Sequence, residues 1–336
     1  MVNEHKVSDV NKNIEMVLEI QDLKKHYLLR AGMLSKKKRY VYAADGITFS
    51  INACETLGLV GESGCGKSTV GKTILRLIDP TDGIIKFRSV DITNLSRFEL
   101  RKYRREMQFV FQDPYFSVNP RMSIGSIVGE PLENYKLARG QKKDDIVEAT
   151  LNRVGLSSEH MEKYPHQMSG GQLQRVGIAR ALILNPKFII CDEVVSALDV
   201  SVQAQVLNLL MDLQEEYRLS YLFITHDLAV VEHISHRIAV MYLGKIVELT
   251  DRETLFVTPQ HPYTQALLSA APIPDPTARK ERTLLLGDVP SPVNPPKGCR
   301  FNTRCQYSEQ RCRVQEPKLR ETAPGHLVAC HLHEAS

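Results

Sequence analysis

Three short, wholly apolar runs punctuate the chain: Leu57-Gly58-Leu59-Val60, Phe188-Ile189-Ile190-Cys191 and Tyr221-Leu222-Phe223-Ile224. Runs of this length without polar alternation predict strands buried on both faces, as in a parallel sheet. Elsewhere the period lengthens. Val147, Leu151 and Val154 recur at helical spacing and stop at Gly155, and Val202, Val206, Leu209, Leu213 and Tyr217 mark a longer packed helix face. Further helices are expected from about Thr69 to Leu77 and over 172–184. Ile238 to Leu249, broken at Gly244-Lys245, reads as a hairpin. Residues 14–110 alternate short strands with turns, whereas about 114–168 reads as helical. The order predicts an α/β fold with an inserted helical subdomain.

Past residue 255 the texture changes. Eleven of the 17 prolines fall in 258–336, which predicts a loop-rich C-terminal appendage and not more sheet-and-helix core. The expected organisation is an α/β domain over 1–254, its helical subdomain at about 114–170, and a tail over 255–336. No run of about 18 apolar residues occurs, so the chain is not expected to span a bilayer. Met1 to Asn13 is polar and lacks the apolar stretch of a secretory signal. A net charge of +4 over 336 residues is small and gives no reason to expect nucleic acid as a partner. The basic runs 36–39 and 101–105 read as solvated faces, with lipid headgroups or a membrane subunit as the other neighbours to consider.

Chemistry enters directly after the first apolar run. Gly61-Glu62-Ser63-Gly64-Cys65-Gly66-Lys67-Ser68 fits G-x-x-x-x-G-K-[ST], the phosphate-cradling loop, followed by Thr69 at the head of the next helix. The glycines let backbone N–H groups converge on phosphate oxygens, Lys67 brings a charge to the β- and γ-phosphates, and Ser68 offers a hydroxyl to Mg²⁺. Cys65 reads as a small buried filler. The second apolar run ends in Asp192-Glu193, at the strand end where α/β sheets bind ligands. Asp192 is a candidate for Mg²⁺ and Glu193 for the general base that polarises the attacking water.

A second motif narrows the reading. Ser169-Gly170-Gly171-Gln172 is the SGGQ signature of ATP-binding-cassette ATPases. With it, the chain resembles the ATPase subunit of a bacterial oligopeptide or dipeptide ABC importer. Gly171 to Leu182 and Val195-Ser196-Ala197-Leu198-Asp199 are similar to the F-type member of the two non-identical ATPase subunits such importers usually carry. The resemblance implies a P-loop NTPase fold, ATP and Mg²⁺ as ligands, and an ATP site completed by the SGGQ of a second, homologous subunit. It further implies two transmembrane permease subunits, an extracytoplasmic substrate-binding protein, and a peripheral place on the cytoplasmic face of the membrane. Gln112, in Val110-Phe111-Gln112-Asp113-Pro114, would touch Mg²⁺ or the lytic water; Asp199 would lie in the loop crossing to the partner; His226 would bond the γ-phosphate. Tyr27 is the choice for the ring stacked on adenine, with Tyr40 and Tyr42 as rivals and an ordinary half-buried strand residue as the plain alternative. Val194 and Met168 depart from the family's usual Pro and Leu. A nickel or glutathione importer, or a soluble ABC ATPase acting on ribosomes or DNA, are the other functions considered.

His261-Pro262-Tyr263-Thr264-Gln265-Ala266-Leu267-Leu268 resembles the tail specific to peptide and nickel importer ATPases, and reads as a strap packing a helix on the core. Four of the seven cysteines, Cys299, Cys305, Cys312 and Cys330, follow within 32 residues. Their intervals of 6, 7 and 18 do not fit the close pairs of structural zinc. They suit an iron–sulfur cluster held by a wrapped loop, and the arrangement is similar to family members with a [4Fe-4S] cluster. Zinc and no metal stay open.

Overall fold

The computed structural model describes residues 15–29, 38–270 and 287–333. Arg30, Lys36 and Lys37 of the basic insertion lie outside them. Two sheets organise the chain. The smaller is antiparallel, in the order β2-β1-β4-β5, with β1 at Met16–Leu29, β2 at Arg39–Asn52, β4 at Asp82–Phe87 and β5 at Val90–Asp91.

The larger sheet has eight strands and carries the three apolar runs at its centre. These are β3 (Thr56–Val60), β7 (Phe188–Asp192) and β8 (Ser220–Thr225), each buried along its whole length. They pair in parallel with β6 (Met107–Val110) beyond β7 and β9 (Arg237–Tyr242) beyond β3. The hairpin partner β10 (Lys245–Asp251) adds antiparallel. Parallel strands covered on both faces need helices as crossovers, which explains why their sequence does not alternate.

Helix α1 (Lys67–Ile74) follows β3, beginning two residues sooner than expected and ending at Ile74 rather than Leu77. Helix α2 (Arg97–Glu106) precedes β6 with a Ser96–Glu99 capping box; the basic run 101–105 lies on it, and of its residues only Leu100 is buried. The helical insertion comprises α3 (Ile124–Asn134), α4 (Gln141–Arg153) and α5 (Gly170–Leu182). Its apolar faces, including Val147, Leu151 and Val154, share one core with β7, β8 and α6 (Val200–Tyr217). Helix α7 (Leu228–Ile234) returns the chain to β9.

The tail departs from expectation. It is loop-rich, but it also extends the main sheet. After α8 (Arg252–Val257), α9 (Pro262–Ala270) and α10 (Gln310–Val314), strands β11 (Arg320–Ala323) and β12 (His326–Val328) continue the sheet beyond β10. Proline density hid this short hairpin, whose place in the sheet depends on β12 pairing with the distant β10. Tyr263 and Phe301 pack with Tyr242, Val60 and Val240 in a core of their own, with Cys299 and Cys305 at its margin. The tail is therefore attached to the strand that launches the phosphate loop.

Candidate functional site

The phosphate loop leaves β3 at Val60 and enters α1 at Lys67. Gly66 is its N-cap at φ 109°, where a Cβ would lie 1.8 Å from the carbonyl oxygen of Ala43. Only glycine fits between loop and β2 there. Cys65 is buried, and burial pushes its thiol upward in pKa, as a filler thiol and not a nucleophile requires. Lys67 is buried as well; its ammonium donates to the carbonyls of Gly61 at 2.8 Å and Glu62 at 3.1 Å. It is thereby held over the mouth of the loop, at the positive end of α1. Ser63, Gly64 and Thr69 complete this turn in sequence.

One residue further, Ser68 Oγ donates to Asp192 Oδ1 at 2.8 Å, joining α1 to the end of β7. Asp192 is buried, and burial raises its carboxyl while the Ser68 hydrogen bond opposes the rise. A hydroxyl and a carboxylate brought together from two elements are an oxygen pair of the kind a hard cation such as Mg²⁺ takes.

Beside this pair, Glu193 turns the chain with φ +50°, a conformation costing a non-glycine residue roughly 1 kcal/mol. Its N–H donates to the Ile224 carbonyl at 2.9 Å. The carboxylate is held from both sides: Gln112 Nε2 donates to one oxygen at 2.7 Å, and His226 Nδ1 lies 3.2 Å from the other. Gln112 stands just past β6 and His226 just past β8, so three neighbouring strand ends converge on one carboxylate. This brings together three residues 81 and 33 positions apart in sequence.

Ser169 and Asp199 occupy equivalent posts elsewhere. Ser169 caps α5: its hydroxyl accepts from the Gln172 N–H at 3.3 Å, and Gln172 Oε1 accepts in return from the Ser169 N–H at 3.0 Å. The expected helix start at 172 is thus two residues late, because Gly170 and Gly171 are already helical. Asp199 caps α6 and accepts from Val202 N–H at 2.9 Å; that hydrogen bond holds its carboxyl below the usual range. A Cβ on Gly171 would reach within 2.4 Å of Val202, so the two helix starts are close-packed. Two adjacent helix N-termini make a donor-rich, positively polarised surface suited to phosphate oxygens.

Tyr27, at the end of β1, is 39% exposed and carries the Lys25 ammonium 5.0 Å above its ring. Its rival Tyr42 is engaged edge-on by His26 at 4.6 Å, and the Arg300 guanidinium covers it at 5.7 Å. Tyr27 thus has the freer face for stacking. Tyr40 pairs with Leu28 across the same two strands.

The four tail cysteines are free and half-buried. Gly298, at φ 69°, lets the Cys299 N–H reach the Cys312 carbonyl at 2.8 Å; a Cβ at Gly298 would lie 2.4 Å from that oxygen. Burial pushes Cys299 up to about 12, Cys330 to about 11, and Cys305 upward, and in each the neighbouring cysteines push the same way. The four thiols therefore share one electrostatic neighbourhood. Among the described residues, no three His, Cys, Asp or Glu are drawn together as around a single metal ion.

The residues that sequence reading missed come from the tail. Arg304 clasps the Glu62 carboxylate with both guanidinium nitrogens, at 2.8 and 3.2 Å, and the Tyr263 hydroxyl accepts from the Glu62 N–H at 2.9 Å. Glu62 sits at a variable position of the loop motif, and nothing in its spacing pointed to an arginine 242 residues away.

A P-loop, a hydroxyl–carboxylate pair at its end, a carboxylate held between two neighbouring strand ends and a capped SGGQ helix are the features of an ABC-type ATPase. Comparison with known proteins agrees. A family model described as "ABC transporter" matches residues 44–196, and one described as "Oligopeptide/dipeptide transporter, C-terminal region" matches 247–312. The chain is 53% identical to the oligopeptide transport ATP-binding protein AppF of Bacillus subtilis, over 96% of this chain and 98% of that protein. It is 52% identical to a probable peptide ABC transporter ATP-binding protein of Sinorhizobium fredii, over 95% and 90%. The ATP-binding cassette MJ0796, solved as a post-hydrolysis dimer with ADP and Pi, superposes with a TM-score of 0.62 at 30% identity, over 70% of this chain and 98% of that one. The chain belongs to the family of ABC transporter ATP-binding proteins, and it is an ATP-hydrolysing subunit of that class. No helix among the described residues is long and apolar enough to cross a membrane.

Proposed function

We propose that this chain couples ATP hydrolysis to the import of oligopeptides or dipeptides, as a peripheral subunit on the cytoplasmic face of the membrane. The observation that carries the catalytic half is the Glu193 carboxylate gripped by Gln112 and His226 beside the Ser68–Asp192 pair. In this reading Lys67 and the loop N–H groups of 61–69 hold the β- and γ-phosphates. Ser68, Asp192 and Gln112 would hold Mg²⁺, which supplies charge neutralisation when bound. Glu193 takes the proton of the attacking water, with Gln112 orienting that water and His226 bonding the γ-phosphate. Asp192 and Glu193 divide their work by environment: the buried carboxylate faces the cation, and the clamped one faces the water. Residues 1–254 act as the nucleotide-binding domain, with about 114–170 as its helical subdomain, and 255–336 as the importer tail.

The peptide half rests on the printed functions of the relatives and on the match of 247–312 to the oligopeptide/dipeptide C-terminal region. The partners in this reading are a second, non-identical ATPase subunit, two permease subunits and an extracytoplasmic peptide-binding protein. Affinity purification of the tagged chain from membranes, with sequencing of what accompanies it, tests the assembly. Two permeases, a second ATPase and bound peptide are expected; recovery of ribosomes or DNA in their place would overturn the reading.

Tyr27 serves as the adenine platform. Tyr27→Ala should weaken ATP binding by roughly three- to tenfold, the worth of one aromatic stacking contact, and Tyr27→Trp should restore it. Unchanged affinity in Tyr27→Ala would move the platform to Tyr40 or Tyr42.

Cys299, Cys305, Cys312 and Cys330 hold a [4Fe-4S] cluster in the same reading. What supports this reading is four half-buried free thiols in one tail segment, Cys299, Cys305 and Cys330 being pushed upward by burial and by their cysteine neighbours. Anaerobically purified protein should be brown and contain about four irons per chain. Cys305→Ser or Cys312→Ser should bleach it while leaving ATP binding in place. Colourless protein with one zinc per chain would assign the site to zinc.

A further inference from the structure

Glu62 is an electrostatic liability. It places a carboxylate inside the loop that must receive a triphosphate, and its own carbonyl already shares the ammonium of Lys67. Left unpaired, a carboxylate on that loop would oppose the approach of polyanionic phosphates, by about a factor of ten in affinity at protein-like dielectric.

The tail answers this charge. The Arg304 side chain is only 6% exposed and makes a two-pronged ion pair with Glu62, at 2.8 and 3.2 Å. Tyr242 lies beneath its guanidinium, with the phenol oxygen 3.5 Å from Nη1. Tyr263 takes the Glu62 N–H, so that carboxylate and backbone of one loop residue are both gripped by the tail. Phe301, edge-on to Tyr242 and tilted against Tyr263, fixes the turn from which Arg304 projects, and the Arg304 N–H closes that turn on the Phe301 carbonyl at 3.0 Å. Few arrangements are better suited to cancelling a single charge: a planar fork, desolvated, with its aromatic bed and turn supplied by the same tail.

We propose that Arg304 is a positioning residue of the nucleotide site: it neutralises Glu62 so that the phosphate loop accepts ATP, making the C-terminal region a working part of the ATP site. The proposal deepens the reading of residues 61–68 as the phosphate loop, and binding of ATP by the unaltered chain tests that reading separately. Because Arg304 directly precedes Cys305, whatever orders the cysteine segment also sets the position of this arginine.

A double-mutant cycle on the full-length chain, with a fluorescent ATP analogue as probe, separates charge neutralisation from mere bracing. Arg304→Gln should weaken binding about tenfold, because Glu62 is left unpaired. The double variant Arg304→Gln/Glu62→Gln should return to within about threefold of the unaltered chain, since no charge then remains to repel the phosphates. In the assembled transporter, Arg304→Gln should raise KM for ATP by a similar factor with kcat little changed. A single variant within twofold of the unaltered chain, or a double variant as weak as the single, would overturn the proposal. Should Arg304→Gln fail to fold, the double variant, neutral at both positions, decides alone: a tenfold loss in it contradicts the charge argument.

Discussion

Glu193→Gln should bind ATP as tightly as the unaltered chain and turn it over roughly 10²–10⁴-fold more slowly in the assembled transporter. The substitution keeps the shape of the side chain and one acceptor oxygen but removes the group that takes a proton from water. The geometry makes this a clean test. Glu193 is fixed by its own strained backbone and by its N–H bond to Ile224, so the amide should occupy the place of the carboxylate. The Ser68–Asp192 pair and the loop around Lys67 are untouched, which is why affinity should persist. Near-normal hydrolysis by the variant complex would remove Glu193 from the role of base.

The second large effect concerns the surface made by α5 and α6. Ser169 is tied into its own helix start by the reciprocal pair with Gln172, and Gly171 is packed against Val202. These groups present a helix N-terminus outward, and in the proposed assembly they complete the ATP site of the other ATPase subunit. Ser169→Arg fills that surface with a long cation and deletes the cap, whose loss costs the helix about 1 kcal/mol. ATP binding by the isolated chain should therefore be intact, while hydrolysis at the partner's site should fall by at least about 10²-fold. If the isolated chain hydrolysed ATP as fast as the whole transporter, the shared-site assignment would fail.

What sequence could and could not disclose follows from the range of the forces involved. Val60, Cys191 and Ile224 sit in short apolar runs of the kind doubly covered strands have, so the ends of β3, β7 and β8, and the catalytic candidates beyond them, were legible from local pattern. Helix starts were less so. Gly170 and Gly171 look like loop residues until the Ser169–Gln172 capping box is seen to enclose them. The tail was the hardest to read. β11 and β12 are short and exposed in part, and the hairpin they form joins the sheet only through β12 and the distant β10, so no periodicity announced them. Arg304 is one of 43 lysines and arginines, and its distinction lies wholly in facing Glu62 and Tyr242. Long-range ion pairs leave no mark on spacing. The Cys299–Cys330 set stood out by composition, whereas the reach of Cys299 to Cys312 through Gly298 became visible only in three dimensions.

The central claim, that ATP hydrolysis at this chain drives peptide import, is tested most directly by uptake of a labelled oligopeptide into vesicles. These would contain the complex purified through this chain, with its binding protein supplied on the substrate side and ATP on the other. The account predicts accumulation of peptide that requires ATP and is abolished when the complex carries Glu193→Gln. Uptake that proceeds without ATP hydrolysis, or that is unaffected by Glu193→Gln, would contradict it.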